Sequence, residues 1–327
     1  MSYFTFDRMQ NKRKCAVVGC QSTGGTIAYA LAQSDLFEEL VLLDADKRMA
    51  EGQAADVIAS LSPHVKADIW AGDFADLDDC FLIVLALGIP ALHESAHADL
   101  LELNAPLMRK ALGSVTAFQS DATVVVVSDP CDLITRMTLR YAGLPSSRVL
   151  GIGNMPLCVR LAGLMARYLN TDAQNVQALV VGSSDEHAVL LQSKLSVCGM
   201  PARDYLMARG RSEDITVLRS LLDDAVYAQN RACDAKGRSD FSIANACVRI
   251  ADAILNDRNT LMPLCVDADD YCDLSHACMS LPCLVGAHGA RVVHQIIPDP
   301  AEVDLLRKAA ARQHAQLLAC EHLFGTK

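Results

Sequence analysis

Apolar residues gather in short runs along the first half of the chain, at 15–18, 40–43, 67–70, 82–87, 123–127 and 148–152. Between most of these runs lie longer stretches in which apolar positions return every three or four residues, as at 25–34, 47–60 and 98–113. The short runs read as buried strands and the longer pattern as amphipathic helices. Alternation of the two predicts an α/β fold, a doubly wound parallel sheet with helices on both faces. Ligands then bind beyond the carboxyl ends of the strands, where the strand order reverses. The second half is less regular. A long helix is predicted from near Leu157, a strand over 176–182, and helices over 213–234 and 240–257. Strand-like segments follow at 281–286 and 292–298, and an amphipathic helix starts near Pro300. Glu302 and Asp304 suit its first turn and Lys308 and Arg312 its later part, as the helix dipole prefers.

Residues 14–44, KCAVVGCQSTGGTIAYALAQSDLFEELVLLD, carry the sharpest motif. A strand runs into a Gly-bearing turn, a helix follows, and a second strand ends on Asp44. This is the βαβ unit of a dinucleotide-binding, Rossmann-type fold. Its fingerprint is G-x-G-x-x-G. Gly19 and Gly24 hold the first and third places, and Gln21 stands in the second, where glycine lets the backbone approach a pyrophosphate. Asp44 falls 20 residues past Gly24, at the spacing of a carboxylate that bonds the adenosine ribose and selects NAD over NADP. The change of pattern near 150 divides the chain into a dinucleotide-binding domain, 1–150, and a mixed α/β substrate domain, 151–327.

A net charge of −10 argues against nucleic acid or an anionic membrane as partner. The first residues lack the apolar core of a signal peptide, and no apolar stretch approaches a membrane span, so the expected location is cytoplasmic. The 13 cysteines form no C-x-x-C and mostly sit inside apolar runs, which reads as small buried hydrophobes. The acidic run Asp267, Asp269, Asp270 with Cys272 and His276 lies in a turn-like segment and reads as a solvated loop, with no metal expected.

Taken with LLDADKRMAEGQAADV (42–57), VVVVSDPCDLIT (124–135), RVLGIG (148–153), KGRSDFSIA (236–244) and SLPCLVGAHG (280–289), the βαβ unit resembles the lactate/malate dehydrogenase family over nearly the whole chain. The resemblance implies hydride transfer between NAD and a 2-keto or 2-hydroxy acid, and a homodimer or homotetramer. Ala86, Leu87 and Gly88 match a family segment whose backbone passes the cofactor, with Leu87 in place of a small residue. Arg160 falls on the arginine that clamps the substrate carboxylate bidentately. Leu92 falls on the residue that reads the substrate side chain, which favours an apolar group over malate's second carboxylate.

The proton-handling positions depart from the family pattern. Ser184 stands at the catalytic histidine and Leu157 at its orienting aspartate. His187, three residues on, is a weak substitute. His97 takes the place of the mobile-loop arginine that polarises the carbonyl, and Asp129 that of an asparagine near the substrate oxygen. A carboxylate at 129 would repel a developing oxyanion. Two readings follow. One is a divergent NAD-dependent oxidoreductase for an apolar 2-keto or 2-hydroxy acid. The other is a catalytically impaired homologue that keeps the fold for ligand binding or assembly. A third chemistry built on Ser184 and His187 lacks an orienting group in the sequence.

Overall fold

The computed structural model of the chain describes residues 13–62, 67–88, 97–113, 122–184, 187–211, 215–268, 270–274 and 277–324. The first half contains β1 (Lys14–Val18), α1 (Ser22–Gln33), β2 (Glu39–Leu43), α2 (Lys47–Ser60), β3 (Asp68–Ala71), β4 (Leu82–Leu85), α3 (His97–Gly113), β5 (Thr123–Val126), α4 (Cys131–Tyr141) and β6 (Val149–Gly151). The strands lie in the order 3-2-1-4-5-6 and each neighbouring pair is parallel. The order reverses between β1 and β4, which places the ligand crevice at the ends of those two strands. Period-two packing explains why both faces are apolar. Cys15 and Val17 of β1 face one buried cluster, and Ala16 and Val18 face the other.

The second half contains α5 (Met155–Leu169), β7 (Val176–Gln177), β8 (Val180–Gly182), β9 (Ala188–Leu190), β10 (Ser196–Val197), β11 (Met200–Pro201), α6 (Ala202–Ala208), α7 (Ile215–Lys236), α8 (Asp240–Leu255), β12 (Thr260–Asp267), β13 (Cys278–Gly286), β14 (Gly289–Val292) and α9 (Pro300–Ala319). The β12–β13 hairpin continues the main sheet antiparallel to β6, and β8 and β9 extend it further. Helix α8 crosses back to pack on α1, so the two halves share a wall beside the glycine turn. Asp299 and Glu302 form a capping box at the start of α9.

The structure corrects two expected strands. The 176–182 segment is broken: β7 pairs with β10 in a separate small sheet, while β8 joins the main sheet. The segment 292–298 is strand only at Val292, after which the backbone turns, with the Ile296 N–H donating to the Val293 carbonyl at 3.0 Å. Its apolar side chains are only partly covered, so the apolar letters reflect a surface turn. Ten of the 13 cysteines are buried, and all 13 are free thiols. Asp267 closes β12 in an ion pair with Arg136 at 3.2 Å, while Asp269 and His276 lie outside the described residues.

Candidate functional site

The glycine turn joins β1 to α1 at the switch point. Gly19 has φ +98°, and a Cβ there would sit 2.5 Å from the Ala86 carbonyl oxygen. Close approach of the β1 and β4 ends therefore demands glycine. A Cβ on Gly24 would overlap the Gly19 carbonyl, which fixes the third place for helix–strand packing. Gln21 has φ −68° and ψ −167°, a backbone any residue adopts, and its side chain is exposed. The non-glycine at the middle place thus costs no strain. Its consequence is confined to how closely a phosphate can approach.

Asp44 ends β2 with its carboxylate held on two sides. Oδ2 accepts from the Cys20 N–H at 2.7 Å and Oδ1 from the Asp46 N–H at 3.0 Å. Each oxygen keeps a lone pair for a ribose hydroxyl. Ala86 and Gly88 follow β4 across the crevice, and Leu87 between them packs toward the core. These parts fit a dinucleotide.

One feature of the cradle is unexpected. Asp240, at the start of α8, is 3 % exposed and accepts from the Ser22 hydroxyl at 2.9 Å and the Thr23 hydroxyl at 2.7 Å. Lys236 Nζ lies 3.7 Å away. A buried carboxylate is thus planted against the first turn of α1, the turn whose amides and dipole favour a pyrophosphate.

Across the crevice, Asp129 follows β5, and its backbone carbonyl accepts from Asn104 Nδ2 at 2.6 Å. Its carboxylate is not left to face an oxyanion alone. Arg238, just before α8, pairs with Asp129 Oδ2 at 3.2 Å and donates to the Val127 carbonyl. Arg238 is 8 % exposed, and its Nε is buried without a hydrogen-bond partner. Asp129 is therefore paired with a cation that the spacing of the chain did not reveal.

Ser184 follows β8, positioned by Asn154. The Asn154 Nδ2 donates to the Val181 and Ser183 carbonyls at 3.3 and 3.0 Å, tying the α5 start to the end of β8. Ser184 has an orienting group after all. Asp132, in the first turn of α4, accepts from both its amide and its hydroxyl at 3.0 Å. Leu157 is buried in an apolar cluster with Leu161 and Val180, so it contributes packing alone. Arg160 shares that helix. It is half-buried, its Nε is shielded without a hydrogen-bond partner, and no carboxylate among the described residues pairs with it. A guanidinium in that state suits an incoming carboxylate. His187 is exposed at the edge of β9. Leu92 lies outside the described residues, and His97 opens α3 with its side chain likewise outside them.

Sequence reading missed Asp132, Arg238 and Asp240. A signal existed for each. Asp132 is an acid in the first turn of a helix, and Arg238 and Asp240 are opposite charges two apart at another helix start. Their targets are far away in sequence, 111 positions for Arg238 on Val127 and 217 for Thr23 on Asp240, and only the fold brings them together.

Comparison with known proteins matches residues 13–151 to the lactate/malate dehydrogenase NAD-binding domain and 158–318 to the α/β C-terminal domain of the same family. An L-lactate dehydrogenase of Treponema denticola is 29 % identical over 94 % of this chain and 98 % of its own. A probable L-lactate dehydrogenase of Schizosaccharomyces pombe is 27 % identical over 92 % of each. The minor L-lactate dehydrogenase of Enterococcus mundtii in its ligand-bound form superposes with a TM-score of 0.87 at 27 % identity, over 95 % of this chain and 99 % of that one. Malate dehydrogenase of Plasmodium falciparum shares the fold, with a TM-score of 0.88 at 22 % identity, over 95 % of this chain and 99 % of that one.

Proposed function

The chain belongs to the lactate/malate dehydrogenase family, with NAD as cofactor, and on that premise we propose that it interconverts a 2-hydroxy acid and its 2-keto acid, with an apolar substrate side chain. The observation that carries this reading is Arg160, a half-buried guanidinium with an unsatisfied Nε at the family's carboxylate clamp. The Gly19–Gly24 turn and the first turn of α1 would hold the pyrophosphate, Asp44 the adenosine ribose, and the segment Ala86–Gly88 the passing backbone. The nicotinamide supplies a hydride acceptor or donor at the carbon bearing the substrate oxygen. Arg160 holds the substrate carboxylate, and Arg238 places positive charge near the end of β5, where a carbonyl oxygen would gain negative charge. Leu92 favours an apolar group at the substrate's far end. Residues 1–150 form the dinucleotide-binding domain and 151–327 the substrate domain, with Leu92 of the first also serving the substrate.

The test is NADH binding by calorimetry followed by NADH oxidation across a panel of 2-keto acids, and NAD reduction across the matching 2-hydroxy acids. Binding with turnover of an apolar member supports the reading; binding with no turnover removes it. The second reading, a ligand-binding homologue without turnover, is favoured by Ser184 and Leu157 standing at the family's proton-donor positions. It expects NADH affinity with no turnover.

We propose a homodimer or homotetramer as well. Helices α1 and α8 pack together, and Tyr29 of the first and Phe241 of the second are 45 % and 75 % exposed, apolar groups that a second copy would cover. Sedimentation analysis checks this; a monomer would overturn it. Among the described residues no helix is long and apolar enough to cross a membrane. We place the protein in the cytoplasm, and its partners are small molecules rather than nucleic acid or membrane.

A further inference from the structure

The Ser184 amide donates to Asp132 Oδ2 and the Ser184 hydroxyl to Oδ1, each at 3.0 Å. Two donors on one carboxylate is the arrangement of an ionised acceptor. Asp132 is 5 % exposed, while Ser184, just beyond the end of β8, is half-buried. A serine hydroxyl that donates a hydrogen bond to a carboxylate still has lone pairs to accept another. Such a hydroxyl is too weak an acid or base to work alone near neutrality. It can pass a proton without ever carrying a net charge.

We propose that Asp132 is the terminal proton acceptor of this site and Ser184 its relay, in the direction of 2-hydroxy-acid oxidation. The inference rests on the oxidoreductase reading above. The substrate C–H bond breaks with its electron pair leaving as hydride to an oxidised nicotinamide. The substrate O–H proton moves to Ser184 Oγ, and the Ser184 proton moves to Asp132 Oδ1. The electron pair of the broken O–H bond becomes the second bond of the new carbonyl. The substrate is oxidised by two electrons, the nicotinamide is reduced, and Asp132 ends protonated. In reverse, a protonated Asp132 resupplies Ser184 as the alkoxide forms.

The surroundings keep the acceptor on Asp132. Cys265 of β12 and Cys278 of β13 face it, and burial pushes both thiols well above their usual range, so neither carries charge near neutrality. Cys131 precedes it on α4, with its thiol directed at the Val126 carbonyl. Arg136, one turn along α4, is engaged by Asp267 at 3.2 Å. Asp132 is therefore the one acidic group seen bonding Ser184 among the described residues.

The experiment compares Ser184→Ala, Ser184→Thr and Asp132→Asn in the full chain, with NADH binding measured for each. Ser184→Ala is expected to lower kcat for 2-hydroxy-acid oxidation by about 10²–10⁴ with NADH affinity unchanged, and Ser184→Thr, which keeps the hydroxyl, to restore most of it. Asp132→Asn keeps an acceptor for the Ser184 amide and is expected to abolish the acid limb of the kcat–pH profile. Difference infrared spectra between acid and neutral pH, recorded without substrate, give a readout independent of turnover. The band of a protonated buried carboxylic acid should be lost in Asp132→Asn and displaced in Ser184→Ala. An active chain whose kcat is indifferent to Ser184→Ala, or whose acid limb survives Asp132→Asn, overturns the relay alone. A chain that binds NADH and oxidises no 2-hydroxy acid overturns the oxidoreductase reading, and the relay with it.

Discussion

Arg238 Nη2 lies 3.2 Å from Asp129 Oδ2, and the same nitrogen donates to the Val127 carbonyl, so one guanidinium closes the carboxyl end of β5. The two residues come from different elements, the end of β5 and the start of α8, and neutralise each other there. Removing the cation leaves a carboxylate that is only 26 % exposed facing any developing oxyanion. Arg238→Gln should therefore lower kcat/KM about 10²–10³-fold and cost about 1–3 kcal/mol of stability by urea unfolding. Adding Asp129→Asn should recover part of both losses, with a coupling of about 0.5–3 kcal/mol in the stability cycle. Strictly additive effects would show that the pair does not act as a unit.

Asp240 predicts a cofactor affinity below what the scaffold could give. Its carboxylate sits against the first turn of α1, bonded to the Ser22 and Thr23 hydroxyls. A negative charge there opposes the pyrophosphate that the helix dipole would otherwise attract. Asp240→Asn keeps an acceptor for one hydroxyl and removes the charge. NADH should bind about two- to tenfold tighter, the scale of one charge at a helix terminus. Calorimetric titration of the two proteins side by side decides it, and unchanged or weaker binding would mean that the charge is shielded from the phosphates.

The glycine turn and the doubly wound parallel sheet could be read from the chain because spacing and apolar periodicity set them. Gly19 answers a single close approach to Ala86, and the apolar runs answer a sheet buried on both faces. Ser184 and Leu157 are letters at fixed spacing, and the proposal that they stand where the family places its proton donor starts from those letters alone. The groups that surround them in the fold were not legible in that way. Asp132 lies 52 positions from Ser184, and Arg238 answers Asp129 from the far side of the chain. Charge compensation of that kind has no periodicity and is written only in the folded contacts. The 292–298 segment failed in the opposite way: its letters are apolar, but Val293 and Ile296 close a turn rather than a ladder.

Leu157 bears on whether the site can be returned to the family's usual chemistry. It is 4 % exposed and packs with Leu161 and Val180. Leu157→Asp alone buries an unpaired carboxylate in that cluster and should cost about 3–5 kcal/mol. Combined with Ser184→His, which supplies the imidazole such an aspartate would orient, part of that loss should return. Thermal and urea unfolding of the single and double variants measure the coupling. With His97→Arg added, a gain in lactate-type reduction marks an eroded site. A stable triple variant without gain marks a site whose substrate or cofactor contacts have moved as well.

Lys14 tests the sheet itself through pH. Its side chain is 6 % exposed, and its ammonium donates to Asp79 Oδ1 at 2.5 Å, lies 3.7 Å from Asp76 and stands 5.4 Å over the Trp70 ring. Burial works to lower its pKa, but the Asp79 hydrogen bond, with the charges of Cys80, Asp79 and Asp76, outweighs that and raises it above 10.5. The folded chain therefore holds this proton more tightly than the unfolded one. The stabilisation is complete below 10.5 and is lost as pH rises from there through the raised value. Asp79→Asn should weaken the protein at neutral pH and flatten its loss of stability in alkali. Urea unfolding followed by the fluorescence of Trp70, the single tryptophan, on either side of 10.5 reads both effects. An Asp79→Asn protein that loses stability as steeply as the unmodified chain would show that the alkaline loss comes from other groups, such as the buried thiols, and not from Lys14 and its carboxylates.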